Sequence, residues 1–214
     1  MGVRHIFERL DQTYLNDLVV KSGQGDSNAF AELYASVADR QLVYLTHLFG
    51  NREEAAEALR DVFAAALKGL PGLVKKDLFM LWLARISANV YFEKSGYEDV
   101  TSGRYSLSHL LNLPLAESQI MLMSAGQGLS DREIEDILNV GAGTIRRFKK
   151  LAMKHLSGIG SDSDDKKREA ALSRKVQRGE NNISNVRLTP VEAAEILESV
   201  FESCGHDANT LPME

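Results

Sequence analysis

The chain has 214 residues, a formal net charge of −5 at pH 7 and a hydrophobic fraction of 44%. This length fits one large domain or two small ones, and the balance of apolar and charged residues is typical of a soluble globular protein. The acidic excess argues against an indiscriminate nucleic-acid coat protein, which is usually basic overall. It leaves room for a local basic face.

Several other classes are excluded by simple patterns. No apolar run approaches the roughly 20 residues that a membrane-spanning helix needs, and the first residues lack the apolar core of a signal peptide. Because Cys204 is the only cysteine, an internal disulfide cannot form. We therefore expect a cytoplasmic protein without disulfides.

Helical periodicity dominates the chain, without a convincing strand alternation, and it predicts an all-α fold. The first domain is expected at 1–94, with helices over about 11–22, 27–49, 52–70 and 77–94. Capping residues support these limits: Asp26 precedes the second helix, and Asn51 with Glu54 opens the third. We expect the four helices to form one bundle.

A polar linker is predicted over 95–112, and a second small helical domain over 113–157. Its helices are expected over about 115–125, 130–138 and from 141–144 to 156. The segment 158–188 is polar and glycine-punctuated, which is typical of a flexible linker. Thr189, Pro190 and Glu192 then form a helix start, and they predict a C-terminal amphipathic helix over 189–203.

The strongest local pattern is a helix-turn-helix over Ser130 to Leu156. Asn139 stands where the chain must turn with positive φ, which Asn tolerates best after Gly. The helix that follows has an apolar side of Ile145, Phe148, Ala152 and Leu156, and its charges are all basic. Such a helix suits the DNA major groove; the alternative is an ordinary solvated face. The predicted DNA-binding residues are Thr144, Arg146, Arg147, Lys149, Lys150 and Lys154.

No catalytic set, phosphate-binding loop or dinucleotide fingerprint is present in the sequence. Cys204 and His206 are too few for a zinc site, which usually takes three or four protein ligands. We therefore expect no metal and no cofactor, and a protein that acts by binding and not as an enzyme.

Two sets of motifs resemble bacterial RNA polymerase sigma factors of the extracytoplasmic-function group. GDSNAFAELY, GNREEAAEALRDVF and FMLWLARISANVYFE are similar to sigma region two, and LPLAESQIMLMSAGQGLSDREIEDILNVGAGTIRRFKKLAMKHL is similar to region four. The resemblance covers about residues 11 to 157, with the motifs in the family's order. It implies a factor that directs core RNA polymerase to specific promoters and initiates transcription.

The resemblance also implies roles for particular residues. Contact with the polymerase clamp would fall on Glu57, Arg60, Asp61, Val62 and Phe63, although Val62 and Phe63 could instead be core residues. Recognition of the promoter minus-ten element would fall on Trp82, Arg85 and Asn89, where packing is the alternative for Trp82. The basic helix would bind the minus-thirty-five element. An anti-sigma factor is a further implied partner.

The sequence departs from the family at two places. Family members often have an arginine cluster after the stretch that ends at Glu93, whereas this chain continues Lys94-Ser95-Gly96-Tyr97-Glu98-Asp99. In the basic helix, Phe148 and Leu151 fall where Arg is frequent, and Lys149 falls where an apolar residue is frequent. The second departure indicates that the basic helix contacts DNA in a shifted register. The first departure motivates one alternative, a sigma-like or helix-turn-helix DNA-binding regulator without promoter melting. A second alternative is a repressor whose first bundle dimerises or binds a ligand.

The C-terminal helix lies outside the family's two-domain pattern. We hypothesise that Val191 to Phe201 packs on the preceding domains, or on a partner, and modulates access to polymerase or DNA. A weakly ordered terminal helix is the alternative.

Overall fold

The computed structural model describes residues 7–95, 113–157 and 186–205. Within these ranges the regular structure is helical and contains no strand, so the predicted all-α fold is confirmed. The described residues fall into two compact units, 7–95 with 186–205 and 113–157, which we call the bundle unit and the helix-turn-helix unit. Most of the two predicted linkers, at 96–112 and 158–185, lies outside the described residues.

The bundle unit begins with four helices in the predicted order. They are α1 (Gln12–Gly23), α2 (Ser27–Phe49), α3 (Arg52–Gly69) and α4 (Phe79–Ser95). Asp11, Asp26 and Asn51 cap the first three by accepting backbone N–H hydrogen bonds. The fourth helix starts later than the predicted residue 77, because a 3₁₀ turn over Lys76–Leu78 precedes it.

Aromatic side chains from α2 and α3 meet at the centre of this unit. The Phe63 ring packs edge-on against Tyr34 and Phe30, with centroid distances of 4.7 and 6.4 Å. One buried polar contact joins α2 to α4, where the Ser87 hydroxyl donates to Gln41 Oε1 over 3.0 Å. The first four helices therefore share a continuous core.

A further helix of the bundle unit comes from the C-terminal part of the chain. This helix spans Pro190–Ser203 and is numbered α8, after the three helices of the other unit. It packs against α2 and α3, and it buries Ile196, Val200 and Phe201 in the same core cluster. Its amphipathic pattern predicts a partner surface without identifying it, and the structure assigns that surface to the bundle unit.

The helix-turn-helix unit contains α5 (Leu115–Met121), α6 (Asp131–Leu138) and α7 (Ala142–Ser157). The sequence predicts one α-helix as far as residue 125, but the structure has a π-helical turn over Leu122–Gly126. Ser130 and Glu133 form the predicted capping box at α6. In the described parts of the chain, no helix is both long and apolar enough to cross a membrane.

Candidate functional site

The turn between α6 and α7 determines which side of α7 reaches solvent. Asn139 is buried and has a left-handed backbone conformation with φ of 55°, as its position predicts. The chain then reverses, and Ile145, Ala152 and Leu156 of α7 are each 0% exposed. These buried positions place one side of α7 against its own unit.

Four cations lie on the opposite side of α7. A helix advances about 100° per residue, so positions three, four or eight apart share a side. Gly143 lies on this side as well; it is exposed, and a Cβ added to it would meet open space. The exposed members of this basic stripe are Arg146, Arg147, Lys150 and Lys154.

Two members of the stripe make contacts within α7 itself. The Arg146 Nε donates to the Ala142 carbonyl over 3.3 Å, and the Arg147 guanidinium lies 4.9 Å from the centroid of the Phe148 ring. Two side chains beside the stripe are apolar and partly exposed, Leu151 at 37% and Met153 at 40%. The surface therefore combines cations with apolar groups, as major-groove readers do.

Lys149 differs from its neighbours in the predicted DNA-binding set. Its Nζ lies 2.5 Å from the Asp131 carboxylate at the start of α6, and the side chain is half-buried. It follows Ile145 by four residues, so it lies beside the inward side of α7. Thr144 is also half-buried. The sequence-based prediction included Lys149 because of its charge. The position of Lys149 on the helix instead places its side chain in an ion pair within the unit.

A second internal pair was missed by sequence reasoning. Glu117 of α5 is 4% exposed, and its Oε2 lies 2.6 Å from His155 Nδ1 on α7. The two residues are far apart in the chain, and neither belongs to a recognisable ligand pattern. Only the packing of α5 against α7 brings the two residues together, and the pair links the first helix of the unit to its last.

On α3, the residues predicted to bind polymerase divide into two groups. Glu57, Arg60 and Asp61 are exposed, and Asp61 forms an ion pair of 2.7 Å with Lys94 at the end of α4. Val62 and Phe63 are 0% and 1% exposed. These two side chains have no surface for a partner in this structure, so the core alternative applies to both.

On α4, the residues predicted to recognise the minus-ten element share one side of the helix. Trp82 is half-buried and covers Gly69, where an added Cβ would lie 2.8 Å from the indole ring. Packing thus accounts for Trp82. Arg85 is half-buried and Asn89 is exposed, which leaves Asn89 as the most accessible of the three.

Among the described residues, no group of three His, Cys, Asp or Glu side chains is arranged to hold a metal ion. No protein-family model and no curated protein matches the chain. A solved structure of CnrH in complex with the cytosolic domain of CnrY is similar to this chain, and the match covers 68% of this chain and 96% of that one. The identity is 22% and the TM-score is 0.36.

Proposed function

We propose that the chain is a sigma-type transcription factor that directs core RNA polymerase to specific promoters and initiates transcription there. The observation that carries the proposal is the basic stripe on α7, which follows a left-handed turn at Asn139 and carries Arg146, Arg147, Lys150 and Lys154. The motif resemblance over about residues 11 to 157 supplies the polymerase part. Such a factor works in the cytoplasm and acts by binding, not as an enzyme.

In this proposal α7 enters the major groove of the minus-thirty-five element. Arginine can bind guanine with two hydrogen bonds, and lysine neutralises phosphates. Arg146 and Arg147 lie near the start of α7, the part of a recognition helix that usually reaches the base edges. Thr144 lies beside them, and Lys154 is the proposed contact to the DNA backbone.

The bundle unit binds polymerase through the exposed part of α3. Glu57, Arg60 and Asp61 present two carboxylates and one cation to solvent, and this face suits a basic partner surface. Val62 and Phe63 contribute by holding α3 in place, since both are buried. Arg85 and Asn89 of α4 are the proposed contacts to the minus-ten strand.

One observation favours the alternative of a sigma-like regulator without promoter melting. In the part of α4 that follows Asn89, Lys94 is the one basic residue, and it is engaged by Asp61 at 2.7 Å. Single-stranded DNA is usually bound by a basic groove with stacking aromatic rings. Tyr91 and Phe92 supply aromatic rings in this part of α4, but a single lysine supplies its positive charge.

The experiment that tests the proposal combines co-purification with core polymerase and run-off transcription from candidate promoters. We expect a stable complex and a promoter-dependent transcript. Core binding without a transcript would support the regulator that lacks melting. Duplex binding without any core binding would contradict the sigma proposal and support the repressor alternative. An anti-sigma protein would be recognised by its ability to prevent the complex between this chain and core polymerase.

A further inference from the structure

The C-terminal helix α8 lies along α3 in the same chain direction. At one end, Arg52 donates to both Glu192 carboxylate oxygens over 2.8 and 2.9 Å. At the other end, the Cys204 thiol lies 3.7 Å from the Ala64 carbonyl oxygen. The two contacts are separated by the same number of residues on both helices, so α8 runs parallel to α3 and covers its flank.

The C-terminal half of α8 supplies the apolar part of this contact. Ile196, Val200 and Phe201 are the buried side chains of α8. The Phe201 ring packs edge-on against Phe30 of α2, with 5.7 Å between centroids. Phe30 also contacts Phe63 in the centre of the core. α8 thus covers an apolar face of α2 and α3 that would otherwise reach solvent.

Polar contacts also hold the N-terminal end of α8. Asp39 of α2 accepts the Leu188 backbone N–H over 2.9 Å, and its carboxylate lies 3.6 Å from the Arg187 guanidinium. Arg52 donates to the Arg187 carbonyl over 2.8 Å as well. The side chains of Arg52 and Glu192 are about one-third exposed, so water can replace these contacts when the helix leaves.

The fit between α8 and α2 is incomplete. A groove of about 290 Å³ remains between the two helices. The Tyr34 hydroxyl, on a side chain that is 2% exposed, is buried at this face and has no hydrogen-bond partner among the described residues. An unfilled groove and an unsatisfied hydroxyl both weaken an interface. Five of the eleven residues that line the groove are alanines, namely Ala31, Ala35, Ala38, Ala193 and Ala194.

We propose that the α2–α3 face is a helix-binding surface that α8 occupies reversibly, and that a partner's amphipathic helix binds there by displacing α8. The partner helix carries a carboxylate in its first turn for Arg52 and an aromatic ring about two and a half turns later for Phe30, as Glu192 and Phe201 do in α8. α1 to α4 also contact one another directly, as Phe63 does Tyr34 and Ser87 does Gln41, so we expect them to remain folded when α8 leaves. This proposal is independent of DNA binding by α7.

Hydrogen exchange of the full-length chain tests the reversible step. We expect the amides of 193–203 to exchange at least tenfold faster than the core amides of α2 and α3, because α8 opens locally. Glu192→Gln should speed exchange in α8 further, whereas Glu198→Gln, on the exposed side of α8, should leave the exchange of α8 unchanged. Equal protection of α8 and α3 in the wild-type chain would overturn the proposal, since opening would then require unfolding of the bundle.

A labelled synthetic peptide of residues 186–205 tests the binding surface. The full-length variant Ile196→Asp/Val200→Asp releases its own α8 and should bind the peptide saturably, at least tenfold more tightly than the wild-type chain does. Adding Arg52→Glu to that variant should weaken binding at least tenfold, and a Glu192→Arg peptide should restore it. No binding to the released variant, equal binding by the wild-type chain, or loss of the folded bundle in the released variant would each overturn the proposal.

Discussion

Asn139 shows how a single backbone conformation orients a whole surface. Its φ of 55° allows α7 to fold back on α6 with the basic stripe outward. A β-carbon in this region costs about 1–2 kcal/mol for residues other than Gly and, less often, Asn or Asp.

We therefore expect Asn139→Ala to lower the free energy of unfolding of the helix-turn-helix unit by about 1–2 kcal/mol. Asn139→Gly should lower it by less than half as much, because glycine adopts positive φ without strain. Amide exchange in α6 and α7 of the full-length chain measures both effects. Equal losses in the two variants would show that the backbone conformation is not the cause.

A substitution at Phe63 distinguishes a role in packing from a role in partner binding. The side chain is 1% exposed and contacts two aromatic rings. Truncation of a buried phenylalanine usually costs about 3–5 kcal/mol. We expect Phe63→Ala to destabilise the bundle unit by about this amount in urea denaturation followed by Trp82 fluorescence. Glu57→Gln, at an exposed position of the same helix, is the control and should stay within about 0.5 kcal/mol.

The Glu192 carboxylate makes the docking of α8 depend on pH. The Arg52 guanidinium, and then hydrogen bonds from Thr189, lower the pKa of Glu192 from 4.5 to about 2. A carboxylate whose pKa is lower in the folded state stabilises that state above its unfolded pKa, and the contribution disappears as the pH falls through the folded pKa.

The expected result is a loss of about 1 kcal/mol in bundle stability for Glu192→Gln at neutral pH, as for a partly exposed ion pair. The difference from the wild-type chain should be constant above pH 4.5 and vanish near pH 2. Urea denaturation across this range measures it, with Glu198→Gln as the exposed control. A difference that persists near pH 2 would contradict the assigned ion pair.

At the scale of elements, the role of a charged residue on α7 depends on the side of the helix where it lies. Lys149 and Lys150 are adjacent in the sequence, but Lys149 pairs with Asp131 while Lys150 is exposed. Each phosphate-contacting cation steepens the salt dependence of DNA binding by about one unit of slope.

For duplex DNA binding, we expect Lys150→Ala to weaken affinity and to reduce the salt slope by about one, whereas Lys149→Ala leaves the slope unchanged. Fluorescence anisotropy with one labelled duplex over a salt series measures both variants. If Lys149→Ala reduced the slope as much as Lys150→Ala does, the assignment of Lys149 to an internal pair would be wrong.

Most helices could be predicted because their signals are local. Asp26 and Asn51 cap α2 and α3 where the sequence indicates, and Ser130 with Glu133 starts α6. The π-helical turn over Leu122–Gly126 was not predicted, since it lies at the end of its helical segment, where too few residues follow to reveal a shift in the apolar pattern. The 3₁₀ turn before α4 was missed for a similar reason, because its residues also suit a helix start.

At the scale of the whole molecule, the chain order of the helices differs from their grouping. α8 follows α7 in the sequence but belongs to the bundle unit, where Phe201 contacts Phe30. A substitution in α8 should therefore change the stability of helices that lie far away along the chain.

Phe201→Ala tests this grouping in the intact protein. We expect it to lower the melting temperature of the bundle unit by several degrees, since a loss of 1 kcal/mol shifts a domain of this size by about 4–8 °C. The melting of the helix-turn-helix unit should not change. Trp82 fluorescence reports the bundle unit, and amide exchange in α7 reports the other. A shift confined to α7 would contradict the grouping.

The sequence by itself determined the all-α class, the caps, the left-handed turn at Asn139 and the basic side of α7. Each of these depends on residues within a few positions of one another. The tertiary structure decided which predicted residues reach solvent: Phe63 and Lys149 are engaged internally, and Lys150 and Glu57 are exposed. It also decided that Arg52 meets Glu192. Contacts between residues far apart in the chain depend on how whole helices pack, and local periodicity does not specify that packing.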